Sequence, residues 1–412
     1  MDNVLILGAG IYQVPLIKTA KRLGYRVIVA SIPGKYPGFE YADEVSYTDI
    51  RDKESLLELA RDHNVKAVLT AGTDVAISSI GYICEKLGLP GINEDTGLKV
   101  TDKIAMKEAF RDGGVATARF EFVNLDDGID EAMKVAESIG YPVIFKAIDS
   151  SGSRGITKVF EPGEIEGALQ NIRENTRSER YLIEELIVGT EFGTQAFVQD
   201  GQVVLFMPHG DYLYEGDTAV PAGHYVPFGT TSMEEEARKE TQLAIQAVGI
   251  NDGAANIDAI ERDGKVYIIE IGARAGATCL PELVSARFGI DYYDLIVRKA
   301  LGEHVDVPSE CLDVNVCAML LCPDRPGVVS AVHLPEKVAD TVTEVTCDRA
   351  PGAVMRHFRV GPDRSGHVVA SGASLATLER DVRDAMRGVV VELEAGDCES
   401  WIMPAWVELD DE

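Results

Sequence analysis

The sequence is poor in basic residues for its length. Its 412 residues include 39 Lys and Arg against 68 Asp and Glu, which gives a formal net charge of −29. Nucleic acid and an anionic membrane surface would both repel such a chain, so we expect neither as a partner. Any anionic ligand must instead bind in a local basic pocket, which makes the positions of the few Lys and Arg residues informative.

Long apolar runs, a leader segment and a cysteine framework are missing as well. No stretch approaches the roughly 18 to 20 apolar residues that a membrane-spanning helix needs. Residues 1–4 carry no basic segment and lead directly into an apolar run, so we expect no signal peptide. The seven cysteines are odd in number and show neither a CxxC pair nor zinc-type spacing. These features predict a reduced, cytoplasmic protein with free thiols.

The length and the composition, with 46% hydrophobic and 26% charged residues, are typical of a globular protein with two to three domains. Residues 1–95 alternate short apolar runs with helical patterns, which predicts an α/β domain with a doubly wound parallel sheet. Longer strands follow within residues 96–305. Residues 306–412 mix short strands with one clear helix, which predicts a small α+β domain.

A glycine-rich turn, Gly8-Ala9-Gly10, follows the first apolar run. A dinucleotide fingerprint would need a small residue where Gln13 stands and an acidic residue after the second strand, where residues 30–33 read Ala-Ser-Ile-Pro. We therefore expect the glycines to allow a tight turn and the close approach of a ligand to a helix N-terminus. A nicotinamide-dependent oxidoreductase is kept only as a remote alternative.

A second glycine-rich segment, residues 150–155, closely follows a strand that ends near Lys146. Its glycines and hydroxyls could turn several donors towards one anion, as in a phosphate cradle, although the same composition also suits an ordinary turn. Lys146 is the more informative residue, because a lysine that points from an apolar strand into the interior needs an anionic partner.

Two carboxylates interrupt a later pair of apolar strands. Asp258 and Glu270 each stand within an apolar run, and the turn at 261–264 makes the two strands neighbours in a hairpin. Buried carboxylates so close together would repel each other unless a cation lay between them, and oxygen ligands of this kind suit Mg²⁺. The alternative is that both side chains point to solvent on an open sheet face, with Arg274 offsetting their charge.

The order of these segments resembles that of the ATP-grasp ligases. The resemblance rests on the glycine turn at 8–10, Thr-Asp-Lys at 101–103, Phe-Lys at 145–146 with the 150–155 segment, residues 184–191, and Glu-Ile-Gly-Ala-Arg at 270–274. It implies an α/β ATP-grasp fold: a parallel-sheet domain, then a central antiparallel-sheet domain with a lid subdomain at about residues 115–187, then a small C-terminal domain.

The resemblance also implies roles for individual residues. Those implied in ATP binding are Lys103, Lys146, Ser151, Gly152, Ser153, Gly155, Glu184, Glu185, Ile187 and Glu191. Asp258 and Glu270 would hold one or two Mg²⁺ ions, for which Mn²⁺ could substitute. Arg274 would stabilise an acyl phosphate or the attacking carboxylate. One position departs from the pattern, because Gly272 stands where an Asn commonly completes the second metal site. Either the number of ions is left open, or a water fills the position.

A Gly-His-x-x-Pro segment at residues 223–227 resembles the carboxylate–amine ligases of this family, which include L-amino acid ligases. There His224 would position a substrate or accept a proton from the amine, although a histidine in a loop is by default a surface residue. The resemblance implies an ATP-dependent ligase that joins a small carboxylate to a small amine through an acyl phosphate, and it favours a homodimer. The alternatives are an ATP-dependent carboxylase of a small nucleotide precursor and an ATP-binding module without catalysis.

Overall fold

The chain begins with a small parallel sheet. A computed structural model describes residues 1–149, 155–213, 220–394 and 401, and the backbone of residues 396–398. The first strands and helices are β1 (Asn3–Leu7), α1 (Val14–Arg22), β2 (Arg26–Ala30), β3 (Glu44–Ser46), α2 (Lys53–Asp62), β4 (Val65–Leu69) and α3 (Ile77–Leu87). The strands pair in parallel in the order β3-β2-β1-β4, which confirms the predicted parallel sheet. Because β2 and β4 flank β1, the direction of the crossovers switches there, and ligands of such sheets bind at the carboxyl ends of the strands.

Two helices lead from this sheet to a second one. They are α4 (Glu94–Lys99) and α5 (Lys103–Asp112), and the Asp102 side chain caps α5 by accepting a hydrogen bond from the Ala105 N–H. The second sheet is antiparallel in the order β5-β8-β6-β7 and lies within the region predicted as a lid. Its strands and helices are β5 (Phe120–Asn124), α6 (Gly128–Ile139), β6 (Val143–Ala147), β7 (Ile156–Val159), α7 (Ile165–Asn175) and β8 (Arg180–Glu185).

The central sheet has eight strands in the order β13-β12-β9-β10-β11-β14-β18-β16. Its first part consists of β9 (Thr190–Gln199), β10 (Gln202–Tyr212), β11 (Gly223–Val226), α8 (Thr231–Val248), β12 (Gly253–Arg262), β13 (Lys265–Gly272), α9 (Leu280–Phe288) and α10 (Tyr292–Ala300). The predicted hairpin is present as β12 and β13, and Asp263 and Gly264 form its turn with positive φ. All pairings in this sheet are antiparallel.

The last part of the chain extends the central sheet and adds a small sheet of its own. Its strands and helix are β14 (Asn315–Leu320), β15 (Gly327–His333), β16 (Val342–Cys347), β17 (Val354–Met355), β18 (Gly366–Gly372), α11 (Leu375–Arg387), β19 (Val390–Leu393) and β20 (Gly396–Cys398). β14 pairs with β11, so main-chain hydrogen bonds bridge the predicted boundary near residue 306. The remaining strands form the order β17-β15-β19-β20.

The apolar cores join these layers rather than isolating them. One core packs Val4 and Ile6 of β1 against Phe197 of β9 and Leu283 of α9, and it continues to Val369 of β18. A second core packs the opposite face of the parallel sheet against α3, α8 and the hairpin. The carboxyl ends of the parallel strands are thereby held close to the polar face of the hairpin. Among the described residues no helix has the length and apolar character that crossing a bilayer requires.

Candidate active site

Asp258 and Glu270 face each other across the β12–β13 ladder as direct register partners. Their neighbours Ile257 and Ile271 point to the apolar core, so both carboxylates project from the opposite face. Both are solvent-exposed, and the expectation of buried carboxylates is wrong. The apolar residues around them cover only the other face of the sheet.

The environment of this pair nevertheless favours a cation. Desolvation by surrounding protein atoms and the adjacent charge of Glu270 raise the pKa of Asp258 to about 6, although part of its side chain is open to solvent. Asn256 Nδ2 lies 3.4 Å from Asp258 Oδ1 and adds an amide to the same face. A set of oxygen donors on neighbouring strands, open on one side, has the chemistry that Mg²⁺ requires when it also binds phosphates. The residues present therefore fit the metal that the sequence implies.

Two lysines converge on a single buried glutamate. Glu184 of β8 is 2% exposed; Lys146 of β6 contacts one of its oxygens, and Lys107 of α5 lies 3.0 Å from the other. Burial opposes ionisation of Glu184, but the two ammonium groups outweigh it and lower its pKa to about 2. Two ammonium groups and one carboxylate leave one net positive charge at the junction of the second and central sheets, which suits a phosphate group.

Lys107 was not among the residues singled out from the sequence. It is 4% exposed, and it also donates to Thr117 Oγ1 at 2.9 Å. Lys103, which was singled out, lies at the first turn of α5 and is half-buried. The two lysines are four residues apart and therefore share one face of the helix. This spacing from Lys103, together with a position between the core residues Met106 and Phe110, was the signal in the sequence that could have identified Lys107.

The remaining residues implied in nucleotide binding lie at the end of β8, in the connection after it and at the start of β9. The Glu185 carboxylate accepts from Arg262 Nη1 at 2.8 Å and from Arg119 Nε at 3.0 Å. Burial acts against its ionisation, yet the two guanidinium groups lower its pKa. Ile187 is buried and Glu191 is exposed at the start of β9.

The lid loop is described only at its end. Ser151, Gly152 and Ser153 lie outside the described residues. Gly155 has a φ of +67°, and a Cβ there would lie 2.6 Å from Ala147 Cβ. A larger residue therefore does not fit where the loop enters β7, which accounts for the glycine at this end of the segment.

Arg274 is held by a residue from the loop that follows β4. Its Nε and Nη2 donate to Asp74 Oδ1 at 2.9 Å and Oδ2 at 2.7 Å, a two-pronged ion pair in which the arginine side chain is 14% exposed. Burial alone would lower the pKa of Arg274, but Asp74 outweighs it and the pKa is raised. Asp74, 200 positions away in the chain, was not anticipated.

His224 is buried rather than displayed at the surface. It is 1% exposed; its Nδ1 lies 2.6 Å from Asp211 Oδ1 and its Nε2 lies 2.7 Å from Thr278 Oγ1. His209 Nδ1 contacts the same Asp211 oxygen at 3.0 Å. Burial opposes ionisation of Asp211, but the two histidines lower its pKa well below the usual range. With Asp211 ionised, its Oδ1 accepts a hydrogen bond from Nδ1 of each histidine, and Nε2 of His224 shares a further hydrogen bond with Thr278 Oγ1.

This histidine network suits positioning better than proton exchange with a substrate. Both ring nitrogens of His224 already have partners, and Thr278 begins a turn with two residues of positive φ before α9. Ligand atoms of His209, Asp211 and His224 lie within 4.8 Å of one another, the reach of a metal ion. The hydrogen bonds that converge on Asp211 account for this closeness. His209 and Asp211, two residues apart on β10, carried a period-two signal that sequence reasoning did not use.

A cavity of about 890 Å³ lies between the carboxyl ends of the parallel strands and the last part of the chain. Gly8 and Gly10 contribute to its wall, as expected for a turn that admits a ligand. The charged side chains that line it are Lys35, Arg51, Arg349, Arg356, Asp49 and Asp363. Basic residues outnumber acidic ones here, against the excess of acids in the whole chain. The cavity therefore has the charge expected of a local basic pocket for an anionic ligand.

The charge cluster around Glu184, the carboxylate face of the hairpin and the cavity together fit one class of protein, a nucleotide- and metal-dependent enzyme. Family models agree with this. An ATP-grasp domain matches residues 139–282, and the L-amino acid ligase C-terminal domain 2 matches residues 319–394. The chain is 32% identical in sequence to the phosphoribosylglycinamide synthetase from Anaerococcus prevotii. The crystal structure of that protein matches this one with a TM-score of 0.84, over 95% of this chain and 100% of that one.

The chain belongs to the ATP-grasp ligases. It is also 26% identical over 341 residues to the formate-dependent phosphoribosylglycinamide formyltransferase of Haloquadratum walsbyi, over 81% of this chain and 79% of that protein. The L-amino acid ligase of Bacillus licheniformis has the same fold, with a TM-score of 0.73 at 19% identity over 96% of this chain and 99% of that one. The expected ATP-grasp fold, and an enzyme of the carbon–nitrogen ligase type that uses ATP and Mg²⁺, are confirmed.

Proposed function

We propose that the protein is an ATP-dependent carboxylate–amine ligase, which activates a small carboxylate as an acyl phosphate and joins it to a small amine. The observation that carries this proposal is the Asp74–Arg274 pair. It links the face that bears Asp258 and Glu270 to the basic cavity, because Thr73 and Val75, on either side of Asp74, line that cavity. This supports the proposal, because phosphoryl transfer and substrate capture would then take place at adjoining parts of the fold.

The phosphate groups of ATP would bind to the lysines around Glu184. Lys146 and Lys107 carry the net positive charge there, and Lys103 lies one helical turn from Lys107. Residues 151–153 and Gly155 would cover the phosphates, while Glu185, Ile187 and Glu191 would face the adenosine. Asp258 and Glu270 would hold Mg²⁺, which supplies charge neutralisation for the transferred phosphate when it is bound.

The chemical steps follow from this arrangement. A carboxylate oxygen of the substrate attacks the γ-phosphorus of ATP; the new O–P bond forms as the bond to the bridging oxygen breaks, and ADP leaves with the electron pair. The amine nitrogen then attacks the acyl carbon, phosphate leaves, and the nitrogen loses a proton to give the amide. Arg274, the cation that pairs with Asp74 next to the cavity-lining residues Thr73 and Val75, would stabilise the charge that develops on the acyl phosphate. His224 would hold the Thr278 turn in place.

A second candidate is the ATP-dependent modification of a small phosphorylated nucleotide precursor. The cavity has four basic side chains. This is more positive charge than a single carboxylate needs, and it suits a phosphate ester. Two of the similar proteins carry phosphoribosylglycinamide in their names, and one is described as formate-dependent. If bicarbonate is the carboxylate that supports turnover, the enzyme is a carboxylase rather than an amide-forming ligase.

The test is a phosphate-release screen with ATP and Mg²⁺ against pairs of carboxylates and amines. The proposal requires ADP, phosphate and a coupled product in equal amounts, and release that needs both substrates. Glu270→Gln and Lys146→Ala should each lower the rate at least about 100-fold, because each removes charge complementarity at the phosphates. Lys134→Ala, which removes an ion-paired lysine that is 75% exposed, serves as the matched control.

Outcomes of the screen separate the alternatives. ATP bound without release of ADP for any pair would identify a binding module, and turnover with bicarbonate alone would identify a carboxylase. A wild-type rate in Glu270→Gln would refute the assignment of the metal site. The proposed homodimer is tested separately by light scattering coupled to size exclusion, where a mass near 44.6 kDa would contradict it.

A further inference from the structure

The polar face of the β12–β13 hairpin lacks one side chain. Register pairs Asp258 with Glu270 and Asn256 with Gly272, so these four positions share one face of the sheet. Three of them carry oxygen-bearing side chains, and Gly272 carries none. An oxygen ligand at that corner would come from water, from the nucleotide or from another part of the chain.

Asp74 occupies the space that Gly272 leaves. A Cβ built on Gly272 would lie 2.6 Å from Asp74 Oδ1, closer than non-bonded atoms can approach. Asp74 reaches this point from the loop after β4, and the Gly72 N–H donates to the Ala275 carbonyl at 3.2 Å, which ties the same loop to the end of the hairpin. A side chain at position 272 and a carboxylate from Asp74 are thus alternatives for one place in the structure.

The orientation of Asp74 leaves it able to bind a metal ion. Two N–H groups of Arg274 take one lone-pair site on each carboxylate oxygen, and each oxygen has a second site. The side chain is 46% exposed, and its oxygen lies where a Gly272 side chain would start, on the face that Asp258 and Glu270 share. The three carboxylates do not form a described group whose ligand atoms all lie within 4.8 Å of one another, so a bound ion would have to draw them together. Three carboxylates and one guanidinium leave an excess of two negative charges on this face, which a divalent cation offsets.

We propose that Asp74 is a metal ligand of the nucleotide-bound site and takes the place of the missing side chain at position 272. This inference rests on the proposed metal role of Asp258 and Glu270. Arg274 positions the Asp74 carboxylate, and the loop after β4 thereby completes a site whose other ligands lie on the central sheet. The metal site then depends on contact between the two sheets.

The test measures metal binding rather than turnover. Mn²⁺ is titrated into the protein with a non-hydrolysable ATP analogue present, and free Mn²⁺ is followed by electron paramagnetic resonance. Asp74→Ala should weaken Mn²⁺ binding at the affected site at least about tenfold. The double variant Asp74→Ala/Gly272→Asn should regain most of that loss, because the new amide oxygen enters the vacated space. Asp95→Ala, which removes an exposed acid paired with Lys99, is the control and should bind as wild type does.

Each result decides the inference. Mn²⁺ binding by Asp74→Ala equal to wild type, or no recovery in the double variant, would overturn it and leave Asp74 as a partner of Arg274 alone. If Asp74→Ala does not fold, Asp74→Asn replaces it in the test. This variant keeps the shape of the side chain and one of its oxygens, so its affinity for Mn²⁺ should be intermediate. The same titration of Glu270→Gln tests the underlying metal assignment separately. If that assignment is wrong, Glu270→Gln binds Mn²⁺ as tightly as the wild type, independently of the result for Asp74→Ala.

Discussion

Replacing Lys107 by Met tests whether the charge cluster around Glu184 is a cooperative unit. The pKa of Glu184 is about 2 instead of 4.5, a difference that corresponds to about 3 kcal/mol in favour of the ionised and paired carboxylate. Removing one partner of a buried ion pair typically costs about 3–5 kcal/mol. Because Lys146 still pairs with Glu184, we expect Lys107→Met to lower the free energy of unfolding by about 2–3 kcal/mol.

The assay is urea unfolding of four proteins at pH 7, with the same transition compared throughout. These are the wild type, Lys107→Met, Glu184→Gln and the double variant. Since both groups belong to one network, the double variant should be more stable than the sum of the single losses predicts, by at least about 1 kcal/mol. Lys134→Met, at a 75% exposed ion pair, should change the stability by less than about 0.5 kcal/mol.

Acid provides an independent check of the same cluster. A carboxyl whose pKa is lowered in the folded protein stabilises it fully above the unfolded value of about 4.5 and loses that contribution as the pH falls towards 2. The Glu184→Gln variant should therefore lose less stability than the wild type as the pH falls from 4.5 to 2. Additive single losses within about 0.5 kcal/mol, or an unchanged acid profile, would refute the reasoning about this cluster.

Further predictions concern the other parts of the site. Gly272→Asn alone should lower the free energy of unfolding by about 1–3 kcal/mol in thermal or urea unfolding, because its side chain overlaps the Asp74 carboxylate; a variant as stable as wild type would contradict the packing. Asp211→Asn should lower kcat with little change in the KM for ATP, since a neutral amide oxygen then replaces the charged acceptor that His209 and His224 share; an unchanged kcat would exclude a positioning role. Arg356→Ala should raise the KM of the anionic substrate several-fold and leave the KM for ATP unchanged, and equal changes in both constants would show that the cavity is not a separate substrate site.

The architecture was largely predictable because local patterns decide it. Buried apolar runs of four to five residues separated by helices lead to a parallel sheet, and residues 253–272 read as a hairpin from alternation and the turn at 263–264. The hairpin also predicted correctly that Asp258 and Glu270 are neighbours. Their exposure agrees with the alternative of an open sheet face. The sequence could not decide between the two, because a strand pattern does not say whether another layer covers its second face.

The site residues that were missed depend on contacts between distant parts of the chain. Asp74 and Arg274 are 200 positions apart, and nothing in residues 70–76 distinguishes Asp74 from an ordinary surface acid. Lys107 is buried because β8 brings Glu184 to α5 from another sheet. His209 and Asp211 were accessible in principle, since both lie on one face of β10, but only the pairing of β10 with β11 brings them to His224.

The transfer of oxygen from substrate to phosphate tests the central claim most directly. A carboxylate substrate labelled with ¹⁸O, taken from the pair found in the phosphate-release screen, is turned over with ATP, and the released phosphate is examined by mass spectrometry. An acyl phosphate intermediate predicts one ¹⁸O atom in each phosphate, because the attacking carboxylate oxygen stays on phosphorus when the amine displaces it. Phosphate without the label, alongside formation of the coupled product, would contradict the proposed ligase mechanism.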